Sequence, residues 1–332
     1  MAKEKDAKKP KKAKKVLFWI AVVLLFTVGV SCIGISVMLG RINRGDGEFD
    51  DSDLGVYDGL SDEIKNIAVF GVDARKDEVS GRSDAMMIVS IDIKHHKIKA
   101  VSIMRDSLVD IEGYGRRKIN SAYAHGGVEL AIKTLNKNFK MNITDYVSLN
   151  FNQLAEIVDA LGGVDVSITE AERKNANKYI KEMCDEIGKE PDLIKKAGEV
   201  TLYGYQAVAY SRIRYVGNAD FQRTERQREV MEKLMNKALE TSVLKYPSLI
   251  SKLLPMVETS LSNDEILNLA GAMLLKGKPS FEQGRFPLDG SYKTNSSYSM
   301  EYDLDAAADK LHRFIYDDEP FYQEKETETK EQ

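Results

Sequence analysis

Residues 66–103 read NIAVFGVDARKDEVSGRSDAMMIVSIDIKHHKIKAVSI and contain three apolar segments of strand length. The segments lie at 66–72, 86–93 and 97–103, and the pair His95-His96 joins the last two. Short apolar runs bounded by polar turns are typical of buried strands. The sequence therefore predicts three neighbouring strands.

Helical patterns alternate with further strands after residue 120. Helices are predicted at 121–138 and 151–161, and strands at 146–150 and 164–168. Strands that alternate with helices predict an α/β fold, here a layered α-β-α domain with a central mixed sheet. The charged stretch 170–198 is predicted to be a surface insertion. Further helices are predicted at 203–212, 221–240, 246–258, 264–275 and 304–316.

The N-terminal region has the charge pattern of a membrane anchor. Residues 1–15 hold eight lysines against Glu4 and Asp6, a net charge of +6, and residues 16–40 hold no charged side chain. An uncharged run of this length exceeds the roughly 20 residues that a helix needs to cross a bilayer. A cleavable signal peptide is the alternative, but Arg41 follows Gly40 without a small-residue cleavage site.

The positive-inside rule then orients the chain. We expect a cytoplasmic basic tail at 1–15, a single transmembrane helix at 16–40 and an acidic linker at 41–62. An extracytoplasmic domain at 63–317 and a flexible polar tail at 318–332 follow. The protein is thus predicted to lie in the cell membrane, with its domain outside.

Composition excludes several classes of protein. Because the whole chain carries −4, the residues after Gly40 carry −10, which argues against nucleic acid as a partner. The two cysteines cannot form a disulfide scaffold, since Cys32 lies in the predicted span and Cys184 is the single cysteine of the predicted exported domain. No Walker loop, GxSxG or HExxH motif occurs.

Polar side chains collect where the predicted strands end. Asp73 follows the first strand, Arg82 and Asp84 precede the second, and Arg105 follows the third. Ligands of open α/β sheets bind at such strand ends, so we predict a site here, against the alternative of ordinary solvated turns. If residues 211–214 are extended, Arg212 and Arg214 point the same way.

The residue types indicate an anionic ligand. On a helix, Arg223 and Gln227 share one face, and this face continues into apolar residues. Arginine binds phosphate bidentately and keeps its proton, which suits a diphosphate. Asp73 and Asp84 would supply the two carboxylates with which Mg²⁺ is usually held beside substrate phosphates. The basic residues that we assign to this site are Arg82, Arg105, Arg212, Arg214 and Arg223.

The ordered motifs of residues 66–235 resemble the LytR-CpsA-Psr family of membrane-anchored cell-wall enzymes. They are GVDAR (71–75), GRSDAMMIVSID (81–92), VSIMRDS (101–107), KINSAYAHGG (118–127), NFNQLAEIVDALGGVDV (150–166), LYGYQAVAYSRIRY (202–215) and DFQRTERQREV (220–230). The resemblance implies a phosphotransferase that moves a glycopolymer, of teichoic acid or capsular polysaccharide type, from a polyprenyl-diphosphate carrier to a peptidoglycan hydroxyl. It also implies an apolar pocket for the lipid.

The resemblance further implies a role for each candidate residue. Asp73 and Asp84 would coordinate Mg²⁺, for which Mn²⁺ could substitute. Catalytic and diphosphate-binding roles fall to Arg82, Arg105, Arg212 and Arg214, and further diphosphate contacts to Lys118, Arg223 and Gln227. The general base is open between an aspartate and a metal-bound hydroxide.

The sequence differs from the family pattern at two positions, and neither difference removes a charged side chain. Ala85 stands where the family usually has Thr, and Met104 where it commonly has Pro. Asp106 is expected to orient Arg105, and His125 to be structural. Two alternative functions are a polyprenyl-diphosphate pyrophosphatase and a non-catalytic binder of polyprenyl lipids. A third alternative, a transcriptional regulator, is disfavoured, because the 15 residues expected on the cytoplasmic side are too few for a DNA-binding domain.

Overall fold

The structure is a computed structural model, and it describes residues 53–73, 81–214, 220–241, 252–274 and 276–322. In chain order its strands are β1 (Ile64–Asp73), β2 (Arg82–Asp92), β3 (Lys97–Ile103), β4 (Leu108–Ile111), β5 (Gly115–Lys118), β6 (Asp145–Asn150), β7 (Val164–Ile168), β8 (Gly198–Leu202), β9 (Glu258–Thr259), β10 (Ser280–Phe286), β11 (Lys293–Thr294) and β12 (Met300–Glu301). Its helices are α1 (Asn120–Phe139), α2 (Phe151–Ala160), α3 (Glu170–Ile187), α4 (Gly204–Arg212), α5 (Asp220–Glu240), α6 (Asn263–Leu274) and α7 (Leu304–Tyr316).

The central sheet is mixed, as predicted. Its strand order is β10-β3-β2-β1-β6-β9. The pairs β1–β2, β2–β3 and β6–β9 are antiparallel, whereas β1–β6 and β10–β3 are parallel. The three strands predicted from residues 66–103 are therefore β1, β2 and β3, at the middle of this sheet.

The two faces of the sheet meet different partners, because successive side chains of a strand point to opposite faces. Ala68, Phe70 and Val72 of β1 enter a core that α1 and α7 complete. Val69 and Gly71, which alternate with them, line a cavity on the other face with residues of α2 and α5. Helices thus lie on both faces, and the cavity side holds the candidate site.

The stretch 170–198 is not a mere surface insertion, which corrects the prediction. Helix α3 buries Ala176, Ile180, Met183 and Cys184 in a second core that it shares with α2, α4 and α5. The many charged residues of this helix suggest solvent exposure, but one apolar stripe among them is enough to pack a helix against a core. Thr169 caps the helix through a capping box with Glu172.

Several elements differ from expectation. The strand at 164–168 pairs with β8 in a separate two-stranded sheet, and strand β10 was not predicted. Non-helical backbone at Gly126 and Gly127 interrupts α1. Of the helix predicted at 246–258, residues 246–251 lie outside the described residues, and the remainder includes a 3₁₀ turn at Leu254–Met256.

The predicted membrane anchor lies within residues 1–52, which are outside the described residues. Within the described part, no helix is both long and apolar enough to span a bilayer. At the other end, residues 318–322 of the predicted tail pack onto the domain. Phe321 is 3% exposed, and its ring makes edge contacts with Phe286 and Phe314.

A buried ion-pair network ties this C-terminal segment to the sheet. Lys99 and Asp92 are both fully buried, and Lys99 Nζ lies 3.0 Å from Asp92 Oδ2 and 3.0 Å from Asp318 Oδ1. Burial opposes the charge of Asp92, but hydrogen bonds from the backbone and ring of His95 and from Lys99 outweigh it. The pKa of Asp92 therefore lies below its ordinary value.

Acid should weaken this network. A carboxylate whose pKa is depressed by folding adds stability above its unfolded pKa, near 3.9, and loses it as the pH falls through the folded value. We expect Asp92→Asn to lower the free energy of unfolding at pH 7 by about 3 kcal/mol, because Lys99 loses the fully buried one of its two carboxylate partners and keeps only Asp318. The same variant should lose less stability than the wild type between about pH 5 and pH 2, as measured by urea unfolding. An equal acid dependence of the two proteins would contradict this assignment.

Candidate functional site

A β-bulge aims Asp84 out of the regular ladder. Gly71 pairs with Ala85 and Val72 pairs with Ser83, so Asp84 is the extra residue of β2. The Ser83 hydroxyl donates to the Ala85 carbonyl (2.7 Å) across the bulge. Bulges commonly re-aim side chains beside active sites. Gly71 permits the close pairing, since a Cβ at this position would lie 3.0 Å from the Ala85 Cβ.

Two arginines from distant parts of the chain converge on Asp84. Arg105 Nη1 donates to Asp84 Oδ1 (2.9 Å), and Arg214 Nη2 donates to Oδ2 (3.2 Å). The Asp84 and Arg105 side chains are 18% and 19% exposed, and that of Arg214 is 38% exposed. Asp84 and Arg105 lie at neighbouring strand ends, where the sequence analysis predicted a site, whereas Arg214 reaches Asp84 from the segment that follows α4.

Arg105 lies in a loop that is fixed on both sides. After β3, Met104 N–H donates to Phe286 O (2.9 Å), and Asn120 N–H at the start of α1 donates to Arg105 O (3.2 Å). Asp106 then joins two cations, because its Oδ1 lies 2.8 Å from Lys118 Nζ and its Oδ2 lies 3.5 Å from Arg105 Nε. Asp106 thus orients Arg105 as expected, and it brings Lys118 to the same cluster.

Arg212 is placed differently from Arg214. It is the last residue of α4, so residues 211–214 are not one extended strand, and the two side chains contact different partners. The Arg212 guanidinium lies 4.3 Å from the centre of the Phe151 ring and 5.6 Å from that of Tyr179. Such stacking holds a guanidinium by cation–π attraction. Phe151 begins α2, where the Asn150–Gln153 capping box fixes the first turn.

The cavity beside Asp84 is apolar for most of its length. Its lining residues border about 680 Å³ of empty space, part of which is open solvent. Sheet residues form one wall, and helices α2 and α5 form the others. The lining residues are Val69, Gly71, Asp84, Ala85, Met87, Leu149, Asn150, Phe151, Leu154, Ser211, Gln227, Val230, Met231 and Leu234. Gln227, a predicted diphosphate contact, borders the cavity, whereas Arg223, one turn earlier, is buried with 3% exposed.

The charges at the mouth favour an anion. Among the described side chains, the cations Arg105, Lys118, Arg212 and Arg214 exceed the carboxylates Asp84 and Asp106 by two charges. A bound diphosphate would balance this excess. His125, in contrast, is exposed and stacks on Tyr114.

The donor set is compatible with a divalent cation. Asp84 presents a half-buried carboxylate, and Asp73 at the end of β1 pairs in register with Arg82, two residues before Asp84. The side chains of Asp73 and Arg82 themselves lie outside the described residues. Carboxylates of this kind, together with substrate phosphates, suit Mg²⁺. Elsewhere in the described part, Asp92, His95 and Asp318 could approach one ion, but Asp92 lies at the other end of β2 from Asp84, away from the arginines that would bind phosphate.

Arg226 supports the site and was missed by the sequence analysis. It is 5% exposed on α5, and its Nη1 donates to Ile213 O (3.2 Å), the carbonyl between Arg212 and Arg214. Its Nε donates to Glu172 Oε1 (2.9 Å) on α3. Burial opposes the Glu172 charge, but hydrogen bonds from Thr169 and Arg226 outweigh it and hold the pKa of Glu172 below its ordinary value. The sequence feature that could have identified Arg226 is its spacing from Arg223 and Gln227 on the same helix.

Known proteins are similar to this chain in sequence and in fold. The curated relative named polyisoprenyl-teichoic acid–peptidoglycan teichoic acid transferase TagU, from Bacillus mycoides (strain KBAB4), is 32% identical over 271 residues, which cover 77% of this chain and 82% of the relative. The solved structure of TagT bound to LI-WTA is 25% identical with a TM-score of 0.59, covering 82% of this chain and 94% of that chain. A TagT structure with bound octaprenyl pyrophosphate lipid is 24% identical, has a TM-score of 0.56, covers 82% of this chain and 94% of that chain, and shares the fold.

The LytR_cpsA_psr family model matches residues 42–312, which include every described element except the end of α7. The match extends the resemblance seen in the separate motifs to nearly the whole domain. The chain therefore belongs to the LytR-CpsA-Psr family.

Proposed function

We propose that this protein transfers an anionic glycopolymer from a polyprenyl-diphosphate carrier to a hydroxyl of peptidoglycan. The observation that carries the proposal is the apolar cavity with Asp84, Arg105 and Arg214 at its polar end. A cavity of this kind accepts a lipid chain, and the guanidinium groups accept the diphosphate to which the chain is joined. The transferase name of the curated relatives supports this reading.

The reaction exchanges one phosphorus–oxygen bond for another. The acceptor hydroxyl attacks the phosphorus that bears the glycan and gives up its proton, the bond from this phosphorus to the bridging oxygen breaks, and polyprenyl phosphate leaves with a proton on its newly freed oxygen. Arg105 and Arg214, whose guanidinium groups lie within hydrogen-bond distance of Asp84, stabilise the charge that develops on the phosphate oxygens. Lys118 adds a further positive charge through its contact with Asp106.

Asp84 and Asp73 would hold Mg²⁺ at the same end of the cavity. The ion, when bound, neutralises phosphate charge. The charge pattern of residues 1–40 supports a single-pass protein in the cell membrane whose domain faces the wall, where both substrates lie.

Reconstitution tests this function directly. The full chain is incubated with a polyprenyl-diphosphate-linked glycan, Mg²⁺ and peptidoglycan oligomers, and the products are identified by mass spectrometry. We expect glycan joined to the acceptor through a phosphodiester, and loss of this product on chelation. Phosphorylated glycan released equally with and without acceptor would instead indicate a pyrophosphatase. Intact bound lipid would indicate a binding protein.

Arg226→Lys should slow transfer even though the side chain of residue 226 does not contact the substrate. Lysine keeps the charge beside Glu172 but cannot form the fork that also binds the Ile213 carbonyl, so Arg212 and Arg214 lose their fixed backbone. We expect the transfer rate to fall by about 100-fold, with a folded domain by circular dichroism. The matched control is Arg228→Lys on the same helix, where the arginine contacts Gln283 and Tyr322 away from the cavity. Equal rates for the two variants would contradict the positioning role.

A further inference from the structure

The hairpin β4–β5 forms an exposed shelf that begins at the candidate site. Lys118, its last residue, contacts Asp106 beside Arg105. Residues 112–117 are exposed, and Tyr114 lies at the tip, about 14 Å from Lys118 along an extended strand. We call residues 112–117, together with His125, the hairpin shelf.

Two stacked rings form the outer end of the hairpin shelf. The Tyr114 and His125 rings lie 4.2 Å apart with planes inclined by 10°. Tyr114 is 42% exposed, so part of an ordered aromatic ring faces solvent. A scattered surface tyrosine needs no explanation, but rings that already order each other lose little freedom on binding. Such a ring offers an apolar face with a polar edge, which matches the C–H face and hydroxyl rim of a sugar.

The hairpin shelf also carries positive charge within an acidic domain. Arg117 is exposed and donates its Nε–H to the Tyr114 carbonyl (3.0 Å), which fixes the guanidinium beside the tip. Arg116 pairs with Glu301 at 3.0 Å, and both side chains are about half exposed. An ion pair this exposed contributes little, so a phosphate can compete for the arginine. The negatively charged side chains Asp110 and Glu112 are paired with Lys137 and Lys133 of α1.

We propose that the hairpin shelf docks the sugar-phosphate chain of the donor glycopolymer. This inference rests on the proposed function and extends it from the diphosphate to the polymer. Sugar rings would contact Tyr114, and the phosphates of the chain would contact Arg116 and Arg117. The shelf thereby selects an anionic glycan, because a neutral one gains nothing from the two arginines.

Binding of lipid-free glycan tests the hairpin shelf without requiring catalysis. The probes are phosphodiester-linked N-acetylglucosamine oligomers, which carry both sugar rings and phosphates, and neutral N-acetylglucosamine oligomers, both titrated calorimetrically into the full chain in nanodiscs. We expect Tyr114→Ala and Arg117→Ala each to weaken binding of the anionic probe by about fivefold to tenfold. Tyr298→Ala and Arg313→Ala are matched controls, because Tyr298 is 79% exposed and Arg313 pairs with Asp309 and Glu319 on α7 and after it. Unchanged binding in the shelf variants, or a loss confined to the neutral probe, would overturn the proposal.

Transfer assays separate this proposal from the proposed function. Wild type and Tyr114→Ala are compared with a donor that bears one disaccharide and with a donor that bears a phosphate-rich polymer. We expect the substitution to raise KM for the polymer donor about fivefold more than KM for the short donor. If the wild type transfers neither donor, the proposed function fails. If the wild type transfers both and Tyr114→Ala changes the two KM values equally, the hairpin shelf alone is wrong.

Discussion

Arg105→Ala is expected to lower the rate of glycopolymer transfer by about 100- to 1,000-fold, the range found when one charge-stabilising group is removed from an active site. The guanidinium bonded to Asp84 is one of the groups that meet the diphosphate. Its charge and fork matter most when negative charge builds on the phosphate oxygens. Arg105→Lys should recover part of the rate, because it restores the charge without the fork.

The domain should stay folded in this variant, because neither carboxylate is left without a cation. Asp84 keeps Arg214, and Asp106 keeps Lys118. The measurement is the initial rate of acceptor modification by mass spectrometry, with the melting temperature as the test of folding. Arg313→Ala is the control, since Arg313 forms surface ion pairs with Asp309 and Glu319. A folded Arg105→Ala protein with the wild-type rate would show that the site is assigned wrongly.

The strands that could be predicted from the sequence are those whose buried side chains are apolar. Strands β1 and β3 lie where the apolar runs are, because most of their inward side chains are aliphatic or aromatic. Strand β10 has the sequence SFEQGRF and was missed. Its Arg285 is 2% exposed and pairs with Asp289, and a Cβ at Gly284 would lie 2.5 Å from the Phe321 ring. Burial of a paired charge and close packing on a glycine leave no hydrophobic pattern in the sequence.

The sequence predicts those site residues that lie at strand ends. It does not predict those whose role depends on strand register or on burial between helices. Asp84 and Arg105 are close because β2 and β3 are neighbours in the sheet, which the sequence pattern already indicated. The β-bulge that aims Asp84 depends on the register between β1 and β2, and the sequence of β2 alone does not determine this register. Arg226 resembles any charged residue of a solvated helix until α3 brings Glu172 against it.

Leu154→Trp is expected to weaken binding of a long-chain polyprenyl diphosphate by about 50-fold. Leu154 lies on α2 and lines the apolar cavity, so a larger ring at this position occupies space that the lipid would fill. Displacement of about three methylene groups of lipid from the cavity costs about 2.4 kcal/mol, and each 1.4 kcal/mol is about tenfold in affinity. The empty space of the cavity should accommodate the indole without the strain of an overpacked core.

The control is the same substitution on an exposed helix face. Leu267 on α6 is 40% exposed and lies outside the cavity lining, so Leu267→Trp should bind octaprenyl diphosphate like the wild type. A short isoprenyl diphosphate should bind Leu154→Trp with a smaller loss, because it fills less of the cavity, while the diphosphate contacts at Arg105 and Arg214 are unchanged. If Leu154→Trp binds the long lipid as tightly as the wild type, the lipid does not enter this cavity. If the long and the short lipid lose affinity equally, the substitution has disturbed the diphosphate end instead.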